Sequence, residues 1–362
     1  MQKSILLSNR WIILSIVVFA FVLGVYSESH ADLTFQGKVI TFIVPSSAGG
    51  GTDVFARFIA RHIDKYIPGK PNIVVRNMVA AGGIASGNYV YKAKTNGRTA
   101  LVSSAKSVTT GMLGPKGIEY ELEKMIPIYA SPIGNNYWAK SEIIKKPTDI
   151  MTAKGLIFGH SDILSGGPTS FIWPMRLIGF KVDKLITGFG GSGDARLAFL
   201  TGEINVCGGS TVDYNATMKP YVEKGEVVVI FQTGVYDEDG KIIREIPDVP
   251  TVPELYEQIH GKQPSGPDWE VYKLVVGQRT YGKTLLLPPN TPKEITKIYS
   301  DATAKMVKDP AFLKEAEKLI PGSPHLFGEK LIRSYPEGVG GDPKILDYMK
   351  KYYIENHGVV FD

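Results

Sequence analysis

Between residues 38 and 104 the chain alternates twice between a β-branched apolar run and a helix-forming segment, and this alternation restricts the fold more than any other feature. KVITFIVP (38–45) is a continuous apolar run of the kind expected for a strand buried on both faces. The loop SSAGGG follows, then TDVFARFIARHIDKYI from Thr52 to Ile67. Phe55, Ile59, Ile63 and Ile67 recur there at helical spacing, Arg57, Arg61 and Lys65 point elsewhere, and Thr52 or Asp53 can cap the start. PNIVVRN (71–77) reads as a second strand, AAGGIASGNYVYKAK as a glycine turn entering a helix, and RTALVSS (98–104) as a third strand. A βαβαβ order requires a parallel sheet with right-handed crossovers.

The pattern returns in the middle of the chain. GLIFGHS (155–161) is a strand, ILSGGPTS a turn, and FIWPMRLIGF a helix interrupted at Pro174. VDKLITGF leads through a glycine loop into GGSGDARLAFLTG, and GEINVCGGS and GEVVVIFQTG add strands. VYKLVV (271–276) reads as a strand, 244–253 and 261–268 as surface connections, and the chain becomes helical from Asn290. With 362 residues, 43% hydrophobic and 21% charged, the chain can build two domains with cores of their own. The formal net charge of +5, without a long Lys/Arg run, argues against nucleic acid as a partner.

Residues 1–31 form a separate segment. Lys3 and Arg10 precede the sixteen-residue apolar run WIILSIVVFAFVLGVY, and Ser29 and Ala31 supply small residues, so a signal peptide cleaved after Ala31 is expected. The run falls short of the roughly 20 residues a spanning helix needs. Cys207 is the only cysteine, which excludes an intramolecular disulfide framework; it reads as a small core residue. A large exported chain of this kind suits the periplasm.

Two nucleotide motifs have to be weighed. GQRTYGKT (277–284) matches the phosphate-loop pattern, which needs a strand before it and a helix beginning at Lys283. TLLLPPNTP follows instead, and Pro288 and Pro289 would break such a helix, so an extended segment is expected and no nucleotide. Lys283 then reads as a surface residue. GFGGSG (188–193) satisfies G-x-G-x-x-G, but Glu203 and Asp213 are misplaced for a ribose contact. No cofactor and no metal site are expected.

What survives of these motifs is physical. SSAGGGTD (46–53), AAGGIASG (80–87), ILSGGPTS (163–170) and GFGGSGD (188–194) each join a strand to a helix. Such loops lie at the carboxyl ends of parallel strands, and glycine lets amides at a helix N-terminus face an anion. A cleft for a small carboxylate follows. G-x-S-x-G, H-E-x-x-H and a Cys/His pairing are all missing, and His160 reads as a polar loop residue rather than a base.

ITFIVPSSAGGGTDVFAR (40–57) resembles the signature of the Bug proteins, extracytoplasmic receptors of tripartite tricarboxylate transporters, through Pro45, Gly49, Gly50, Thr52, Asp53, Ala56 and Arg57. Asn77, Gly82, Gly83 and NGRTALV resemble the second block, GFGGSGDARLAFLTGEINV the aromatic-glycine loop, and IPDVPTVPELYE and PPNTPKEITKIYSDATAKMVKDPAFLKEAEKL the remaining landmarks. The resemblance implies a two-domain α/β type II periplasmic-binding-protein (Venus flytrap) fold with a ligand cleft between domains. Residues 32–131 and 272–362 would form one domain and 132–271 the other. It implies a monomeric receptor, not an enzyme, that passes a small organic acid to the membrane permease subunits of such a transporter. The implied ligand residues are Ser46, Ser47, Ala48, Gly49, Gly50, Gly51, Thr52, Asp53, Gly82, Gly83, Ser104, Ser165, Gly166, Gly167, Phe189, Gly191, Ser192 and Ala195. Ser46 stands where a bulky residue is common, Phe189 replaces a tyrosine, Asn205 replaces an aspartate, and ILSGGPTS lacks a histidine that often follows. The ligand therefore stays open, as do a sensor without a transport role and an exported α/β hydrolase.

Overall fold

The computed structural model describes residues 34–237 and 239–361; the expected signal peptide lies outside them. Two mixed sheets carry the fold. The first has the order β13-β4-β12-β3-β1-β2, with β1 Val39–Val44, β2 Asn72–Asn77, β3 Thr99–Ser104, β4 Ile126–Ser131, β12 Lys283–Leu287 and β13 Leu326–Phe327. β1 runs parallel to β2 and β3, whereas β12 pairs antiparallel with both β3 and β4. The second sheet has the order β7-β6-β8-β5-β9, with β5 Asn135–Lys140, β6 Ile157–Gly159, β7 Lys184–Ile186, β8 Val206–Ser210 and β9 Val227–Gln232. Here β6, β7 and β8 are parallel, and β5 is antiparallel to its neighbours β8 and β9. The hairpin of β10 Val235–Tyr236 and β11 Ile242–Ile243 stands apart.

The helices form where the apolar spacing demands them. α1 (Gly51–Ile63) buries Phe55, Phe58, Ile59 and Ile63 against β1 and leaves Arg57 and Arg61 exposed. α2 is Ile84–Tyr91 and α3 Ala105–Leu113. α4 (Gly166–Ile178) continues through Pro174 without a break and stacks Phe171 on Phe158, with ring centroids 3.9 Å apart. α5 is Ser192–Thr201, and further helical turns run from Thr211 to Glu223. α6 is Val252–His260 and α7 Pro267–Gly277. α8 (Lys293–Met306), α9 (Pro310–Leu319), α10 (Gly328–Gly338) and α11 (Pro343–His357) complete the chain, as the helical reading beyond Asn290 expects. Each large aliphatic or aromatic side chain buried in this way contributes roughly 1.5–3 kcal/mol.

Three expectations are corrected. VYKLVV is not a strand but part of α7: Val271 and Val275, and Tyr272 and Val276, are buried pairs one helical turn apart, and Pro267 sits at the helix start. The expected domain boundary at 271/272 falls inside this helix, and the chain rejoins the first sheet only at β12. The stretch 244–253 is not merely a surface connection, because Ile246, Val249 and Val252 are buried and the Glu245 carboxylate accepts from the Gly134 amide at 2.8 Å. Cys207 is fully buried in a core cluster with Trp138 and Phe199.

Two short segments pass from one sheet to the other. Residues 132–134 link β4 to β5, and 278–282 link α7 to β12. They run side by side, with the Ile133 amide donating to the Arg279 carbonyl at 3.1 Å. Since β5 and β12 are antiparallel to most of their sheets, both begin at the edge where parallel strands end. Register places Lys283 beside Ser104 and Ser131, and Asn135 beside Ser210.

Candidate functional site

At those strand ends lies a cavity of about 60 Å³. Five helical starts converge on it, contributing Thr52 from α1, Ser104 to Lys106 at α3, Ser165 and Gly167 at α4, Gly191 and Ser192 at α5, and Ser210 before Thr211. First-turn amides have no acceptor within their own helix and carry the positive end of its dipole. The Ser46 hydroxyl, which lines the cavity, is buried and has no hydrogen-bond partner.

Three cationic side chains also line the cavity, and the sequence reading expected none of them there. Lys283 is not on the surface but only 5% exposed, and its Nζ donates to Thr52 Oγ1 at 2.6 Å. Burial pushes its ammonium down to about 8, against the pull of Asp213 and with the help of Arg279. Arg279 donates through Nη1 to Asn135 Oδ1 at 3.2 Å, and through Nη2 to the Gly166 carbonyl at 2.8 Å and to Ser170 Oγ. Its Nε is buried without a partner, and burial lowers its pKa. Lys106, 9% exposed, is pushed down to about 8 by burial, opposed by the Asp162 carboxylate.

The one carboxylate in the lining, Asp213, is already compensated. It accepts from Arg196 Nη1 at 3.0 Å, Ser192 Oγ at 3.1 Å, Ser210 N at 2.9 Å and Ser210 Oγ at 2.8 Å. His160 is buried in the lining, its Nδ1 accepting from the Ser161 amide at 2.8 Å, and burial lowers its pKa to about 4, so it is neutral near pH 7. The cavity is therefore strongly cationic.

The residues expected at the site divide into three groups. Ser46, Thr52, Ser104, Ser165, Gly167, Gly191 and Ser192 line the cavity. Ser47 to Gly51 instead pack against the segment 190–196 and against Ser210 and Asp213. Ser47 Oγ accepts from the Asp194 amide at 3.4 Å, and Arg196 Nη2 donates to the Gly49 carbonyl at 2.9 Å. The glycines allow the close approach: a Cβ on Gly193 would lie 2.7 Å from the Ala48 carbonyl oxygen, and one on Gly51 would strike Ser210 and Asp213. Two amides assigned to anion binding are spent inside the loop, since Gly49 N donates to Asp53 Oδ2 at 2.9 Å and Gly50 N to the Ser47 carbonyl at 3.3 Å.

The remaining residues lie outside the lining. Asp53 is a structural anchor. Burial pushes its carboxyl up, but Arg57, the Gly49 amide and Asn77 outweigh that and hold it below the ordinary value. Gly82 and Gly83 pack on Asp162 and Pro45, Gly166 packs on the backbone of Ala105 and Lys106, Phe189 lies against Gly159, and Ala195 is buried in the core. Asn205 holds the β6 edge, accepting from Ile157 N at 2.7 Å and donating to the Gly155 carbonyl at 2.7 Å. Lys106, Asn135, His160, Ser161, Ser210, Asp213, Arg279 and Lys283 are lining residues that sequence reasoning missed. A lysine in the first turn of a helix, where the dipole disfavours it, was the one available signal for Lys106.

GQRTYGKT has the opposite order to a phosphate loop: a helix precedes it, a 3₁₀ turn spans Gln278–Tyr281, and a strand begins at Lys283. The nucleotide motif is accidental, yet its Arg279 and Lys283 both reach the cavity.

Two α/β sheets joined by paired crossing segments, with a cavity at their strand ends, define the fold of the periplasmic binding proteins. No family model matches the chain. It is 34% identical over 113 residues to protein BugT of Bordetella pertussis, covering 31% of this chain and 34% of that protein, so the chain spans about a third of the length of this curated relative. Among solved structures it superposes on the periplasmic binding protein BugD with a TM-score of 0.66 and 18% identity, over 90% of this chain and all of the other. MatC of Rhodopseudomonas palustris with bound malate gives a TM-score of 0.64 and 18% identity, over 86% of this chain and 98% of MatC. Over about a third of its length the chain is similar in sequence to a Bug protein, and over most of its length it has the fold of the solved periplasmic binding proteins.

Proposed function

We propose that this chain is a periplasmic solute receptor that captures a small organic carboxylate and delivers it to a membrane permease of the tripartite tricarboxylate type. One observation carries the reading: three buried cationic side chains and five helix starts face a cavity whose single carboxylate is already neutralised by Arg196. A buried charge without a counter-charge is costly, so an anionic ligand stabilises the closed arrangement. A volume of about 60 Å³ is small beside the several hundred Å³ of pockets for drug-sized ligands, which points to a compact acid. Malate, bound to the structural relative MatC, is an acid of this kind.

Export through the segment ending at Ala31 and a two-domain chain hinged at 132–134 and 278–282 belong to the same proposal. Among the described residues, no helix is long and apolar enough to cross a membrane. The test is a thermal-shift screen of the mature protein against carboxylates, amino acids, sugars and nucleotides. A ligand at 100 times its Kd raises stability by about 2.7 kcal/mol. Stabilisation by one or more carboxylates is expected; a shift with ATP and magnesium but with no carboxylate contradicts the proposal.

A further inference from the structure

Lys106 breaks three local rules at once. It stands in the first turn of α3, where the helix dipole repels a cation, it is 9% exposed, and its Nζ makes no hydrogen bond to any described residue. The carboxylate that acts on it, Asp162, lies beside Gly82 and outside the lining, and burial raises that carboxyl's own pKa. Residues that violate local preference without a structural return are characteristic of functional sites.

Lys106 is also separated in role from the other two cations. Lys283 is tied to Thr52, and Arg279 to Asn135, Gly166 and Ser170, while its free Nε points to an acceptor not supplied by the chain. One anionic group can satisfy the Arg279–Lys283 side, together with the unpartnered Ser46 hydroxyl. It leaves Lys106 with Asp162, which lies outside the lining, as its only counter-charge, and a buried cation so weakly compensated is costly. Glu245, at the Gly134 turn outside the lining, acts on Arg279 and not on Lys106, and burial raises its carboxyl to about 7, so it leaves the Lys106 side unchanged.

We infer that the cavity selects a compact dianion, with Lys106 as the specificity-determining residue for the second negative charge. This rests on the organic-acid reading above and narrows it to short-chain dicarboxylates. A site built around a charged group of its ligand rejects the analogue that lacks it, because its own polar groups are then stranded.

Calorimetric titration at pH 7 tests this with malonate against propionate, succinate against butyrate, and inorganic phosphate, on the wild type and on Lys106→Met. Methionine keeps the length and packing of the side chain. In the wild type one of the dicarboxylates should bind at least about tenfold more tightly than its monocarboxylate partner, the scale of one charge-assisted contact. In Lys106→Met that gap should close while monocarboxylate affinity persists. Equal affinities in the wild type, or a gap that survives in Lys106→Met, overturn the inference and leave the carboxylate reading standing. Phosphate binding without any carboxylate binding supports charge selection but removes the organic-acid reading beneath it.

Discussion

Lys106 and Lys283 are ammonium groups held down to about 8 by burial, and an anion bound beside them favours their charged form. Ligand binding therefore takes up protons once the pH exceeds about 8. Affinity should fall as the pH rises through that value, by at least about tenfold between pH 7 and 9.5. The facing groups, Asp162 and His160 near Lys106, Asp213 and Arg279 near Lys283, and Glu245 near Arg279, do not reverse the sign: His160 titrates far lower, at about 4, and ionisation of Glu245 at about 7 also disfavours an anion as the pH rises. Titrations across this range check it, and a flat profile contradicts it. Lys283→Met should lose about tenfold in affinity at pH 7 and part of the pH response. In the free protein the same depression acts against folding. The penalty is present below about 8 and fades as the pH approaches the unfolded value of 10.5, because the unfolded chain binds more protons in that window.

The loops 46–51 and 188–193 act as a pair. A Cβ on Gly191 would lie 3.1 Å from both Ser46 Cβ and Ser47 N, and one on Gly50 would lie 3.0 Å from Ser192 Oγ. Valine at either position drives the loops apart while leaving both cores untouched. Gly50→Val and Gly191→Val should each reduce affinity at least about tenfold with little loss of thermal stability, on the scale of one or two charge-assisted hydrogen bonds. Arg61→Ala is the control. Arg61 pairs with Glu315, Arg61 is exposed and Glu315 partly so, and surface pairs of this kind are worth at most about 1 kcal/mol. Unchanged affinity in both glycine variants would show that loop closure is irrelevant to binding. Glycine loops were legible in the sequence because few residues other than glycine permit such an approach. α7 was misread because Val271, Val275 and Val276 look like strand residues, although Pro267 and the first-turn acids Asp268 and Glu270 mark a helix start.

The whole molecule shows why the fold was easier to read than its site. Parallel β/α units declare themselves locally, through β1, α1, β2 and β3 in order. The cavity does not, because Asn135, Arg279 and Lys283 come from the segments that cross between the sheets and from the antiparallel strands they enter. Asn135 opens β5 and Lys283 opens β12, and only pairing with Ser210 and Ser104 reveals where those side chains face. Arg279 and Lys283 were hidden further by a motif that suggested a different ligand and then, once rejected, suggested none. The resemblance pointed to the loops, and the charge came from elsewhere.

A structure of the mature protein with a short dicarboxylate bound would decide where recognition lies. One carboxylate should lie within hydrogen-bond reach of Arg279 Nε and the Ser46 hydroxyl, and the other at Lys106 Nζ, with the loops 46–51 and 188–193 in contact over the ligand. An acid held only by loop amides, with no cationic side chain within about 4 Å, would contradict it.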